Sequence, residues 1–266
     1  MDKLPFRRSL IPAYILSLIV AVLLTITALA SISYRYTIYP TAELRHGFVA
    51  TDVGNLVIAL PLLMACLWLT RRGKTSALLL WPGALFYVLY GYLPYLIVIP
   101  FGLLFPAYSL LITFSLYTII YLIANLDAAA IRQRFAAAPA KIGGGALVVL
   151  AGFNILRQAV LMVTAAANQA PVALLDQAMW IADFTFFVPA LLVGGILLWR
   201  GRPLGYATGP ALLLAYSALV FGLIPVVMVQ ARAGGLPFPI VDIVVLLIMA
   251  AICLVPLLLF FQAGNK

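Results

Sequence analysis

The sequence predicts an all-α fold, a polytopic transmembrane helix bundle of eight spans with both termini on the cytoplasmic side. Three observations lead to this prediction. The 266 residues are 66% hydrophobic and only 9% charged, whereas soluble domains average about half apolar and about a quarter charged residues. Apolar runs of about twenty residues, the length that crosses a bilayer, recur along the chain. Basic residues form short clusters between these runs. We therefore expect one integral membrane domain over 1–266, without a separate soluble domain.

The apolar runs divide into eight predicted helices. Each is long enough to cross about 30 Å of hydrocarbon at a rise of about 1.5 Å per residue. The helices are predicted over 10–32, 53–70, 76–97, 103–125, 144–166, 179–199, 205–230 and 238–262. The third and fourth come from one apolar block, 76–126, that is too long for a single span. Pro94, Pro100, Gly102 and Pro106 predict a tight hairpin in its middle.

The first predicted helix resembles a secretory signal peptide, because Arg7 and Arg8 precede an apolar run. That run, 10–32, is longer than the usual apolar region of a signal peptide, which has about 7–15 residues. We therefore expect an uncleaved first span. The small residues of Ala28-Leu29-Ala30 form a cleavage motif, so that removal of this segment is the alternative.

The basic residues predict the orientation of the bundle, because cytoplasmic segments carry an excess of Lys and Arg. With the N-terminus inside, the cytoplasmic segments hold twelve: Lys3, Arg7, Arg8, Arg71, Arg72, Lys74, Arg132, Arg134, Lys141, Arg200, Arg202 and Lys266. The outer segments hold three, Arg35, Arg45 and Arg232. Short loops with basic inner turns are typical of bacterial multi-pass proteins, so we expect a cell membrane of the bacterial cytoplasmic type.

Two segments resemble one another and predict an internal repeat. The segments 59–87 and 187–216 each contain a helix proline, a Trp and Arg at the inner end, a glycine turn, and a Pro/Gly pair followed by Ala-Leu. The predicted halves, about 1–126 and 143–266, form a 4+4 duplication in the same orientation. Parallel repeats occur in transporters, with sites at the repeat interface. The alternative is that Trp, Arg and Gly recur at membrane borders by chance.

Arg157 is the strongest candidate for a functional residue, because it interrupts a long apolar stretch. A charge inside a span is costly and usually faces a partner or a wet cavity. Arg157 follows Lys141 by sixteen residues, roughly 24 Å along a helix, which predicts a position in the outer third of the membrane. Asp52, Asp183 and Asp242 are predicted at a similar depth. One arginine and three aspartates would then share an outer layer.

The neighbours of these charges predict a ligand-binding surface. Asn154, Arg157 and Gln158 have the spacing i, i+3 and i+4, so they share one face of the fifth helix. Tyr87 and Tyr90 lie on one side of the third helix. A hydroxyl-rich aromatic wall beside charges suits a small polar or amphipathic ligand. The predicted ligand-binding residues are Asp52, Asn55, Tyr87, Tyr90, Asn154, Arg157, Gln158, Asp183 and Asp242.

Each of these residues also has a structural interpretation. Arg157 can be neutralised by one aspartate that holds two helices in register. Asp52 and Asp183 can be helix N-caps near the headgroups, and the tyrosines can belong to an aromatic belt. His46 is expected to be a solvated loop residue. The alternative is that His46, near Asp52 in the sequence, transfers a proton or binds a ligand.

Several classes of function are not predicted. The net charge of +9 lies in the clusters that set orientation, so we expect no nucleic-acid binding. Cys66 and Cys253 lack the spacing of a metal site and are expected to be buried thiols. With His46 as the one histidine, no metal site and no cofactor are predicted. The expected partners are the lipid bilayer and a small-molecule or ion ligand, and no oligomeric state follows from the sequence.

Three functions fit these observations. The first is binding or transport of a small molecule or ion through the polar outer site, with Arg157 holding an anionic group or the aspartates holding a cation. The second is a membrane-embedded enzyme acting on a lipid or lipid-linked substrate, with Asp52 or Asp183 as general base. The third is a non-catalytic partner or sensor subunit, which predicts a fully paired and closely packed Arg157.

Overall fold

The described part of this protein consists of eight long apolar helices and two short connecting helices, Arg35–Ile38 and Ala128–Arg134. The computed structural model describes residues 4–169, 171–235 and 237–264, so the predicted cytoplasmic charges Lys3 and Lys266 lie outside the described residues. The long helices are α1 (Ile11–Ser33), α2 (Ala42–Arg71), α3 (Thr75–Val98), α4 (Phe105–Asn125), α5 (Ala140–Ala167), α6 (Leu174–Trp199), α7 (Pro203–Ala233) and α8 (Ile240–Ala263). All eight are long and apolar enough to cross a membrane. The predictions of an all-helical fold and of eight helices able to span a membrane are confirmed for the described residues.

Two helices begin well before their predicted first residues. α2 begins at Ala42 rather than at 53, and the hydroxyl of Thr41 caps it by accepting a hydrogen bond from the amide of Leu44. α6 begins at Leu174 rather than at 179. The added turns are polar, and a hydropathy pattern does not register polar turns as part of a span. His46 therefore lies in a helix, and the loop position expected for it is wrong.

Both of these helices contain one wide turn. The backbone hydrogen bonds change to the π pattern over Asn55–Ala59 in α2 and over Asp183–Phe187 in α6. A proline follows each wide turn by two residues, Pro61 and Pro189. Proline lacks an amide N–H and crowds the carbonyl four residues earlier, so a helix must widen or bend ahead of it. Asp52 and Asp183 thus lie inside continuous helices, and their interpretation as N-caps is wrong.

α3 and α7 pack against each other at the centre of the bundle. Their backbones meet at Gly83, where a Cβ atom would overlap the carbonyl of Ala211. Around this pair, the first part of α2 packs on α7, and the first part of α6 packs on α3. α1 packs on α4, and α5 packs on α8. α2 and α6, the two helices with a wide turn, also contact α1 and α5, respectively. Each of them therefore joins the central pair to a peripheral pair.

The two described chain ends lie at one face of the bundle, here the terminal face. Arg7 forms an ion pair with Asp127 at 4.0 Å, and the ring of Phe135 stacks on Phe260 with centroids 4.9 Å apart. The opposite face, here the distal face, is where α1, α3, α5 and α7 end. α2 and α7 have 30 and 31 residues, more than the about 20 that span the hydrocarbon. Their distal ends can therefore project toward the headgroups.

Candidate functional site

A cavity of about 350 Å³ lies between the distal parts of α2, α3, α6 and α7, with Arg157 contributed by α5. Its polar lining includes Thr51, Asn55, Tyr87, Tyr90, Tyr95, Arg157, Asp176 and Gln230. Apolar side chains such as Phe48, Leu219 and Val226 complete the wall. Binding sites for small molecules have this mixture of an apolar wall and a few polar groups, and this size is at the small end of their range.

Arg157 lines this cavity and is exposed. Among the described residues, its guanidinium makes no hydrogen bond, and no carboxylate lies within the 4.0 Å of an ion pair. The structural interpretation of Arg157 required such a carboxylate partner. A cation that lines a cavity without a partner retains its charge for a ligand or for water.

Asn55 begins the wide turn of α2 and is fully buried. Neither its amide nitrogen nor its amide oxygen has a hydrogen-bond partner among the described residues. An unsatisfied buried polar group costs about 1–3 kcal/mol. Asn55 borders the cavity, and both of its amide atoms are buried behind the cavity surface.

Tyr87 and Tyr90 bring two phenols from α3 to the same cavity. The hydroxyl of Tyr90 donates to Asp183 at 2.7 Å. The hydroxyl of Tyr87 makes no hydrogen bond with any described residue and lies beside Gly54 and Gly222. Tyr87 therefore offers the cavity a free donor, whereas Tyr90 connects the cavity wall to a buried carboxyl group.

Asp183 lies behind the cavity wall and is not one of its lining residues. Its carboxyl group accepts hydrogen bonds from Tyr90 and, at 2.5 Å, from the amide nitrogen of Gln158. Asn154, the third residue of the predicted α5 face, donates to the backbone carbonyl of Leu150 instead. The three residues of the predicted α5 face therefore have different surroundings. Arg157 lines the cavity, Gln158 binds a buried carboxyl group, and Asn154 bonds to its own helix.

Asp52 is fully buried in a second, separate environment. It accepts hydrogen bonds from the hydroxyls of Tyr39 at 2.5 Å and of Tyr95 at 2.9 Å. Burial, and then the neighbouring Asp52, raise the pKa of the Tyr39 phenol well above its usual range. Tyr39 therefore stays protonated and remains a donor. Asp242 lies in the first turn of α8, is exposed, and does not line the cavity.

The predicted outer layer of four charges is therefore not one site. Arg157 reaches the cavity, whereas Asp52, Asp183 and Asp242 occupy three other environments. The acid that lines the cavity is Asp176, which the predicted span boundaries left in a loop. Its signal in the sequence was its spacing of seven residues before Asp183, which puts both on one side of a helix once α6 is extended.

Comparison with protein-family models, with curated proteins and with solved structures finds no match to this chain. Among the described residues, no group of three or more His, Cys, Asp and Glu side chains is placed to hold a metal ion. Cys66 and Cys253 are free and buried, as the sequence predicted.

Proposed function

We propose that this multi-pass membrane protein binds a small anionic molecule in the distal cavity and carries it across the membrane. The observation that supports this proposal most directly is the exposed guanidinium of Arg157 in the cavity wall, which pairs with no carboxylate among the described residues. An arginine suits the bidentate recognition of carboxylate or phosphate. Away from bulk water, such a contact gains in strength.

The other donors support an anion rather than a cation as the ligand. Among the described residues, neither the hydroxyl of Tyr87, which lines the cavity, nor the buried amide nitrogen of Asn55 beside it has a hydrogen-bond acceptor. The carboxyl groups of Asp52 and Asp183 are already engaged by two donors each. Asp176 is the one acid in the described lining, so an anion that also carries an amine could use both charges.

The orientation that fits this function has the terminal face in the cytoplasm of a bacterial-type cell membrane. Arg71, Arg72 and Lys74 at the end of α2, with Arg200 and Arg202 at the end of α6, support this orientation through the positive-inside rule. Under it, both termini are cytoplasmic and the cavity opens on the outer side. The protein would then take up its ligand from outside.

A 4+4 parallel duplication fits transport through this cavity. Four features recur at one constant separation in the chain: the first residue of each wide turn, the helix proline, the glycine turn and the next proline. They are Asn55 and Asp183, Pro61 and Pro189, Gly73 and Gly201, and Pro82 and Pro210. Gly83 and Ala211, which meet at the centre, have the same separation. Transporters built from such halves move one half against the other around a fixed site.

The two other functions have less support. An enzyme that uses two carboxyl groups needs both beside one cavity, whereas the lining contains Asp176 and neither Asp52 nor Asp183. A subunit without a cavity needs a paired and closely packed Arg157, and neither condition is met among the described residues. We therefore favour binding and transport.

The proposal can be tested with thiol reagents, because the native thiols Cys66 and Cys253 are buried and give little background. Met179 lines the cavity, so a Met179→Cys variant places a thiol in its wall. We expect an anionic methanethiosulfonate to label this thiol faster than a cationic one. Removing the cation with Arg157→Gln should lower that ratio at least about fivefold, the effect of about 1 kcal/mol of Coulomb energy.

Two control variants test whether the labelling is specific to the cavity and to Arg157. Val149→Cys, on the exposed surface of α5, should resist both water-soluble reagents because it faces lipid. Arg232→Gln removes a distal cation that does not line the cavity, and it should leave the ratio unchanged. A Met179→Cys thiol that resists both reagents, or a ratio that Arg157→Gln does not change, contradicts an anion-selective cavity.

A further inference from the structure

A second depression lies on the other side of α2, at the distal face. It encloses about 330 Å³ and is lined by Arg35, Tyr36, Arg45, His46, Val53 and Val229, among others. The residues of α2 that line it follow the spacing i, i+3, i+4 and i+7 from His46 to Val53, so they form one helix face. The cavity of Arg157 uses other residues of α2, such as Thr51 and Asn55. The two sites therefore share the helices α2 and α7 but no lining residue.

The rim of this groove carries two cations without a counter-ion. The guanidinium groups of Arg35 and Arg45 each lie 5.2 Å from the centre of the Tyr36 ring, so they cannot be farther apart than twice that distance. No carboxylate lies within ion-pair distance of either among the described residues. Like charges held this close repel one another. An anion between them would remove that repulsion.

Arg45 is held in place, whereas Arg35 is free to contact a ligand. One terminal nitrogen of Arg45 donates to the carbonyls of Tyr39 and Pro40, both at 3.0 Å. The Arg35 side chain makes no hydrogen bond with a described residue and is exposed. His46 adds a third nitrogen-bearing side chain at the rim. In this groove the guanidinium of Arg45 is thus held in one position, whereas that of Arg35 can move to contact a ligand.

Below this rim the groove is apolar and leads onto the exposed side of α2. Val49, Val53, Pro225 and Val229 form its floor. Val57, one turn beyond Val53, is exposed and continues the stripe along the helix. A basic rim above an apolar stripe on a membrane helix matches an anionic lipid, whose phosphate and acyl chain are arranged in the same order.

We propose that this groove binds an anionic glycerophospholipid of the bilayer. Arg35 and Arg45 hold its phosphate, Tyr36 lies against the headgroup, and one acyl chain follows Val53 and Val57. The site is independent of the function proposed for the cavity. It assigns a role to three residues, Arg35, Tyr36 and Arg45, that do not line the ligand cavity.

The test compares lipid retention by the full chain in nanodiscs of phosphatidylcholine with about one quarter phosphatidylglycerol, read by native mass spectrometry. The wild type should retain phosphatidylglycerol in preference to phosphatidylcholine. Arg35→Gln should lower retention of phosphatidylglycerol about fivefold, the contribution of one basic residue at an anionic surface. Arg232→Gln, which removes another exposed distal arginine, should leave retention at the wild-type level.

A second arm distinguishes the lipid from a free anion. The Val53→Asn variant keeps both arginines but interrupts the apolar stripe, so it should also weaken retention of phosphatidylglycerol. Inorganic phosphate has no acyl chain to lie along Val53 and Val57, so in detergent it should bind the wild type and Arg35→Gln equally weakly. Phosphate binding that depends on Arg35, together with lipid retention that does not, would overturn the lipid site. Equal losses in Arg35→Gln and Arg232→Gln would overturn it as well.

Discussion

At the scale of single residues, hydrogen bonding distinguishes two side-chain amides that the sequence presents as equivalent. Asn55 and Gln158 are both buried and both belong to the predicted ligand-binding set. Asn55 satisfies neither of its polar atoms among the described residues, whereas Gln158 donates to the carboxyl group of Asp183. The first arrangement costs stability and leaves a buried polar group beside the cavity. The second stabilises a buried carboxyl group, which needs its donors.

This difference predicts opposite effects of the same substitution. Asn55→Leu replaces an unsatisfied amide with an apolar side chain of similar size, and it should stabilise the protein by about 1–2 kcal/mol. Gln158→Leu leaves Asp183 with one donor, and it should destabilise the protein by about 1–3 kcal/mol. Thermal unfolding of both variants in the same detergent measures the two shifts. Shifts of the same sign would contradict the roles assigned here.

At the scale of helices, the sequence predicted each apolar span but not the polar first turns of α2 and α6. Hydropathy marks where a helix enters hydrocarbon, and both helices continue beyond that point into turns that carry polar residues. The wide turns were also missed, although Pro61 and Pro189 marked their positions. Because Asp176 lies in such a polar turn, the same omission removed it from the predicted site.

The contact between α3 and α7 gives a prediction at this scale. A Cβ atom on Gly83 would overlap the backbone of Ala211, which cannot move as a flexible side chain can. Gly83→Ala should therefore destabilise the bundle by about 1–3 kcal/mol, the usual cost of overpacking. Gly145→Ala is the matched control in α5, because nothing lies within 4 Å of its added atom.

The control should be neutral or slightly stabilising, since alanine loses less conformational entropy than glycine when a helix forms. Loss of folded protein during a detergent and temperature series, followed by size-exclusion chromatography, measures both variants. If Gly83→Ala is as stable as Gly145→Ala, the central pair does not depend on backbone contact. α3 and α7 would then have to be held together mainly by their larger side chains.

At the scale of the whole molecule, the cavity depends on pairings between helices that are distant in the chain. Periodicity along one helix placed Arg157, Asn154 and Gln158 on one face. It could not show that Arg157 faces a cavity while Asp183 lies behind the wall. The position of Asp52 between Tyr39 and Tyr95 likewise depends on how α2 packs against α3 and the preceding loop. Such contacts follow from packing between helices, which sequence spacing does not determine.

The orientation of the bundle in the membrane can be measured by labelling one introduced thiol at each face. Leu103→Cys places an exposed thiol at the distal face, and Gln133→Cys places one at the terminal face, while the native thiols are buried. Because most basic residues cluster at the terminal face, that face should be cytoplasmic. A membrane-impermeant maleimide should then label Leu103→Cys in intact cells and label Gln133→Cys only after the cells are opened. The reverse pattern would put the cavity on the cytoplasmic side, and the protein would then take up its ligand from within the cell. Labelling of both thiols in intact cells would contradict a single orientation, because eight spans keep the two faces on opposite sides of the membrane.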